Sequence, residues 1–258
     1  MLKKIFLSFL LISVIFCGCA KKEVEIDDLQ QIMNRGYIIV GVKNDTAPFG
    51  FVDKKGNLSG FDIDLAKQIS KVIFGDENKI HFVPVTASNR IMKLNSDEVD
   101  ILIATMSITD QRRMVVRFSQ PYYMAGQAIM VKKSSNVTGL KDFRGKKLII
   151  VFGSTSERNI RTNIPNVEII GFKTYPEAFN ALKAGKADGI IADDSILMAY
   201  AYNDNSVKIL PKRYSEEPYA VALKLEPENS KLLVKINYIL DTMQQTGDLR
   251  KLKEKWGL

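Results

Sequence analysis

The sequence predicts an α/β protein of two lobes, and three observations carry that expectation. From about residue 30 onward, short β-rich apolar runs alternate with amphipathic helical stretches. That alternation is the pattern of βα units feeding largely parallel sheets. Leu94–Ala104 (LNSDEVDILIA) is echoed by Leu182–Ala192 (LKAGKADGIIA), 88 positions later, each with a helix end, a polar turn and a short buried strand. Finally, 258 residues that are 46% hydrophobic and 26% charged are enough for one or two domains and too apolar for a disordered chain.

The first element is an address. Lys3 and Lys4 precede an apolar run from Ile5 to Phe16, and no acid appears before Glu23. A short basic end, about a dozen apolar residues and small residues at the boundary form a secretory signal. The run falls short of the roughly 20 residues a spanning helix needs. Residues 1–18 are therefore expected to be removed. Gly18-Cys19 resembles a bacterial lipoprotein cleavage site, which implies that Cys19 becomes the lipidated first residue. No other cysteine would remain, so no disulfide is expected. Residues 19–29 are charged without an apolar period and are expected to be a tether.

A chain working outside the cytoplasm excludes nucleic acid as partner. Its 37 Lys and Arg against 29 Asp and Glu, a net charge of +8, then point to a membrane surface or a carboxylate-bearing ligand.

Tyr37–Val42 reads as a buried strand. Gly60-Phe61-Asp62-Ile63-Asp64 opens a helix with acids at its positive end, and Leu65, Ile69, Val72 and Ile73 share one face. Pro176 and Gly185 bracket a later helix in the usual Pro-first, Gly-last order. In open α/β sheets ligands bind beyond the carboxyl ends of strands. Thr105, after Ala104, and Asp193, after Ala192, are thus expected to face each other across a cleft.

Gly60-Phe61-Asp62-Ile63-Asp64-Leu65-Ala66 and Thr105-Met106-Ser107-Ile108-Thr109-Asp110-Gln111-Arg112-Arg113, running on to Phe118-Ser119-Gln120-Pro121-Tyr122-Tyr123, resemble the family 3 solute-binding proteins. These are the polar amino-acid receptors of bacterial ABC importers, and the likeness runs from about Met33 to Leu258. It implies the two-lobed type II periplasmic-binding-protein fold, each lobe a mostly parallel sheet flanked by helices. The first lobe would comprise residues 30–126 and 220–258 and the second 127–219, with hinge crossings near Met124–Met130 and Glu217–Ala222. A monomer is expected, lipid-anchored in the periplasm or on the outer face of the cell membrane, delivering its ligand to ABC permease subunits.

The resemblance also assigns residues. Arg112 would grip the ligand α-carboxylate, helped by Thr105, Ser107 and Thr155, because a planar guanidinium makes two parallel bonds that Lys cannot. Asp193 would take the α-ammonium. Thr86-Ala87-Ser88-Asn89-Arg90 resembles the aspartate/glutamate-binding branch, with Arg90, Lys43 and Tyr175 reading a second carboxylate and Phe61 supplying an aromatic wall. Glutamate or aspartate is then expected, since a neutral ligand would leave buried cations unpaired. Glutamine, asparagine or cysteine is the alternative, because the same motif occurs in relatives taking uncharged amino acids.

No enzyme is expected, and no cofactor or metal. Gly153-Ser154-Thr155-Ser156 is not a nucleophile elbow, His81 sits in an alternating strand pattern, and no metal-ligand cluster or glycine-rich phosphate cradle occurs. The rival is a cyclohexadienyl dehydratase on the same fold, which needs an acid to protonate a leaving hydroxyl. Asp194 is the carboxylate left unassigned.

Overall fold

The computed structural model describes residues 27–164, 166–225 and 230–258. The expected signal, the lipidation site Cys19 and all of the tether but its last three residues lie outside them.

The chain opens with α1 (Asp28–Arg35), β1 (Ile38–Val42) and a small antiparallel meander of β2 (Asp45–Thr46), β3 (Gly50–Val52) and β4 (Leu58–Ser59). It continues through α2 (Phe61–Phe74), β5 (Ile80–Pro84), α3 (Arg90–Asn95), β6 (Ile101–Ile103), α4 (Asp110–Arg113) and β7 (Val116–Ala125). The second half holds β8 (Gln127–Lys132), β9 (Lys147–Val151), α5 (Ser156–Asn163), β10 (Glu168–Phe172), α6 (Tyr175–Lys183), β11 (Gly189–Asp193), α7 (Asp194–Asn203) and β12 (Val207–Ile209). The chain then returns through β13 (Glu217–Lys224) to α8 (Lys231–Gln245) and α9 (Asp248–Lys255).

Two five-stranded sheets result, ordered β5-β1-β6-β13-β7 and β10-β9-β11-β8-β12. In each, three neighbouring strands run parallel and the fourth runs against them, so the sheets are mixed with a parallel majority. The two-lobed α/β architecture expected from the sequence is the one observed. β6 shows why its apolar run is unbroken: Ile101 and Ile103 face one core while Leu102 faces another.

The internal echo is a structural repeat. β6 and β11 hold the same third place in their sheets. Asp97 and Gly185, equivalent in the echo, both adopt left-handed backbone, φ 61° and 76°. After each of these turns an N–H reaches back to the helix, Glu98 to the Lys93 carbonyl and Lys186 to that of Ala181, both at 3.0 Å. Asp100 then accepts from the Ile39 N–H at 2.6 Å, and Asp188 from the Lys147 N–H at 2.8 Å. An equivalent carboxylate thus pins the strand in second place of each sheet, β1 and β9.

Three expectations shift. Asp28 and Leu29, expected in the tether, belong to α1, where Asp28 accepts from the Ser230 hydroxyl and the Leu232 N–H and so ties the helix to α8. Val72, expected on the buried face of α2, is 47% exposed, while Leu65, Ile69 and Ile73 are buried. Glu217, Pro218 and Tyr219, expected in the second lobe, already pair with Ala125, Met124 and Tyr123 of the first sheet. The return crossing therefore lies just ahead of Glu217. His81 stacks on the Tyr37 ring at 4.2 Å, a surface packing role.

Candidate functional site

A small cavity lies between the sheets, with room for about one water. Arg90, Thr105, Ser107 and Arg112 line it from the first lobe, and Ser154, Thr155, Tyr175 and Asp193 from the second. Seven of the nine residues expected at the ligand thus converge on one space.

Thr105 follows β6 in left-handed backbone, φ 48°, which costs a non-glycine residue roughly 1–2 kcal/mol. Its neighbours hold it there. Asp62 Oδ2 accepts the Thr105 N–H at 3.1 Å, and Arg90 Nη1 donates to the carbonyls of Ala104 at 2.6 Å and Thr105 at 3.1 Å. Asp62 is wholly buried and also accepts from the Tyr122 hydroxyl at 3.0 Å. Burial pushes its carboxyl up to about 7 against the pull of these bonds and of Arg90. Strain concentrated at one cavity residue and fixed by three buried side chains marks a built site.

Arg112 spans the cleft. It donates to the Ser107 carbonyl at 2.8 Å and to the Gly153 carbonyl at 3.0 Å, which leaves donors of the five-donor fork free to face an anion. Burial holds its pKa below the ordinary value, and Glu217 and Asp193 work against that effect. Gly153 packs directly against the Ala87–Ser88 backbone of the first lobe. Its φ is 79°, and a Cβ there would sit 2.4 Å from the Ala87 carbonyl oxygen.

Asp193 ends β11 at the opposite wall, 7% exposed, and accepts from the Tyr219 hydroxyl of the first lobe. Burial first and Glu217 second raise its carboxyl to about 7, although Tyr219 and Arg112 oppose the shift. The cavity therefore carries a guanidinium on one side and a carboxyl poised near neutrality on the other. A zwitterion fits that polarity.

The remaining candidates differ from expectation. Lys43 is fully buried and ion-paired with Asp45 at 2.9 Å, and it is not one of the residues that line the cavity. Burial lowers its pKa, Asp45 opposes that shift, and Arg90 adds to it. Arg90 does line the cavity, but its Nη atoms are bonded to backbone carbonyls and only Nε remains without a partner. Phe61 does not line the cavity. As the first residue of α2 it enters a buried aromatic cluster, 5.7 Å from the Tyr122 ring and 6.1 Å from Phe49. Asp194 is committed to the crossings: its Oδ1 accepts the N–H groups of Gly126 and Ser195, and it pairs with Arg213. Among the described residues no cluster of three or more His, Cys, Asp or Glu is arranged to hold a metal ion.

The model of the bacterial extracellular solute-binding proteins, family 3, matches residues 38–258. The chain belongs to this family. The ABC transporter glutamine-binding protein of Bacillus subtilis is 39% identical over 241 residues, covering 93% of this chain and 88% of that one. A glutamine-binding protein of Geobacillus stearothermophilus is 43% identical over 203 residues, 78% of each chain. Among solved structures, an ancestral arginine-binding protein bound to glutamine superposes with a TM-score of 0.80 at 42% identity, covering 86% of this chain and 98% of that one.

As a family 3 solute-binding protein, the chain is an amino-acid-binding component of an ABC transporter. Its site also uses residues that sequence reasoning passed over. The sequence offers Asp62 as a helix-dipole acid within the family motif, places Gln127 and Glu217 at the crossings, and gives none of these, nor Asp45 or Gly153, a role at the ligand. Asp45 stands two residues from Lys43, a period-2 spacing that puts both on one side of an extended segment. That was the one available signal.

Proposed function

We propose that this receptor captures glutamine, a neutral polar L-amino acid, between its lobes and hands it to an ABC permease. The carrying observation is the buried Lys43–Asp45 pair, which cancels the cation on which an acidic ligand would depend. Arg90, the second cation of the acidic reading, spends its Nη donors on the backbone around Thr105. A side-chain carboxylate entering here would meet Asp45's charge as well as Lys43's, whereas an amide needs only hydrogen-bond partners. The unpartnered Arg90 Nε–H and the Tyr175 hydroxyl are the groups assigned to that amide.

Arg112, with Thr105, Ser107 and the backbone of Thr155, whose hydroxyl proton is given to Glu217, takes the α-carboxylate in this reading, and Asp193 takes the α-ammonium. Contacts from both lobes exist together only when the cleft is closed, so binding shifts the population to the closed form. Cys19 carries the lipid anchor. Asp194, held by the crossings, supplies no free acid for a dehydratase.

The test is a thermal-shift and calorimetric panel of the twenty amino acids. Glutamine should give the largest stabilisation, with asparagine behind it and glutamate weaker than both. A clear win for glutamate or aspartate would overturn the neutral-ligand assignment.

A further inference from the structure

The crossings hold a polar network that no strand ladder requires. Glu217 opens β13 and stands beside Ala125 in the first sheet, while Gln127 opens β8 in the second. Both are buried, Gln127 completely and Glu217 to 3% exposure. Glu217 accepts from the Ser215 hydroxyl at 2.7 Å, the Thr155 hydroxyl at 2.9 Å and Asn159 Nδ2 at 3.2 Å. Gln127 donates to Thr155 Oγ1 at 2.7 Å and to Ser156 Oγ at 3.2 Å, and it accepts from Asn159 at 2.9 Å.

Thr155 is the N-cap residue of α5, yet its side chain caps no backbone N–H, because its hydroxyl is committed to this network. A satisfied buried network fixes one geometry more sharply than apolar packing does, and it is costly when half-broken. Here the geometry fixed is that of the first turn of α5 and of Ser154 and Thr155 of the cavity wall just ahead of it, relative to both crossings at once.

We propose that Glu217 is a positioning residue of the ligand site: with Gln127 and Asn159 it locks the first turn of α5 to both crossings, so the second lobe's share of the α-carboxylate shell is set before the cleft closes. This rests on the amino-acid reading above. Charge supports it. After burial, Glu217 is the leading influence on Asp193, and it is the leading charge that opposes the effect of burial on Arg112. Tyr219, Arg112 and Asp194 also face Asp193, and Tyr175, Arg90 and Tyr123 stand within its field.

The experiment measures glutamine affinity, release rate and the pH midpoint of binding for the full chain and two variants. Glu217→Gln keeps shape and removes charge. It should speed release roughly tenfold, the size of one buried charged hydrogen bond, and move the acid limb of binding to lower pH. Asn159→Ala cuts the network without touching a charge or the cavity, so it should speed release while leaving the midpoint in place. Wild-type release in Asn159→Ala, or a wild-type midpoint or release rate in Glu217→Gln, overturns the proposal. Failure of the unmodified chain to bind any amino acid would instead overturn the functional reading, so the two failures are distinct.

Discussion

The Arg112 guanidinium of the first lobe donates to the Gly153 carbonyl of the second at 3.0 Å, and that same glycine packs against the Ala87–Ser88 backbone of the first lobe. Closure thus depends on a residue without a side chain. Gly153→Ala places a Cβ 2.4 Å from the Ala87 carbonyl oxygen and 2.6 Å from Ser88 Cα, in backbone that disfavours any Cβ. Glutamine affinity should fall at least about tenfold. Thermal stability without ligand should fall only by the local backbone strain, roughly 1–2 kcal/mol, because the clash itself is between lobes. Calorimetry and scattering with saturating ligand check both, and a variant that closes normally sinks the argument.

The Lys43–Asp45 pair sets the sign of charge at the ligand's side-chain end. With side chains 1% and 17% exposed, it belongs to the class in which removing one partner is strongly destabilising. Asp45→Asn should lower Tm by several degrees and leave Lys43 short of a counter-ion. Glutamate can then supply it, so the glutamate-to-glutamine affinity ratio should rise about tenfold or more. An unchanged ratio in competition assays would show that Asp45 plays no part in specificity.

Arg112→Lys retains the charge but loses the fork. A bidentate carboxylate contact is worth roughly 2–3 kcal/mol, so every amino acid should lose about 30- to 150-fold in affinity, glutamine no more than asparagine. Selective loss of one ligand would move Arg112 from the α-carboxylate to the side chain.

Asp193 and Asp62 make the response to pH depend on occupancy. Both carboxyls are raised to about 7, above their unfolded value of 3.8. Between these values the native state holds more protons than the unfolded one, so their contribution to stability is present at low pH and lost as pH rises through about 7. The ligand ammonium needs Asp193 charged, so affinity should climb by up to tenfold per pH unit below 7 and level off above it. The gain in Tm on adding glutamine should therefore grow from pH 5.5 to pH 8. A flat profile would mean that Asp193 is already ionised at pH 5.5.

The parallel strands and the repeat were legible because inner strands such as β6 and β11 are buried on both faces and so form continuous apolar runs, and because turns such as Asp97 and Gly185 keep their offset. The cavity residues were legible through motifs. What stayed hidden was pairing over long separations. Nothing local reveals that Asp62 holds the Thr105 N–H, 43 positions away, or that Glu217 meets Thr155. Lys43 misled for the same reason: a cation at the expected place says nothing of the carboxylate beside it.

The order β5-β1-β6-β13-β7 carries a consequence for how the chain is made. β7 joins its sheet only through β13, whose residues 217–224 come near the end of the chain. A polypeptide emerging amino-terminus first cannot complete its first sheet until the second lobe has already passed. Until then β6 and β7 keep open edges and the lobe stays loosely built, a state that suits passage through a narrow translocation channel and delays native closure to the far side.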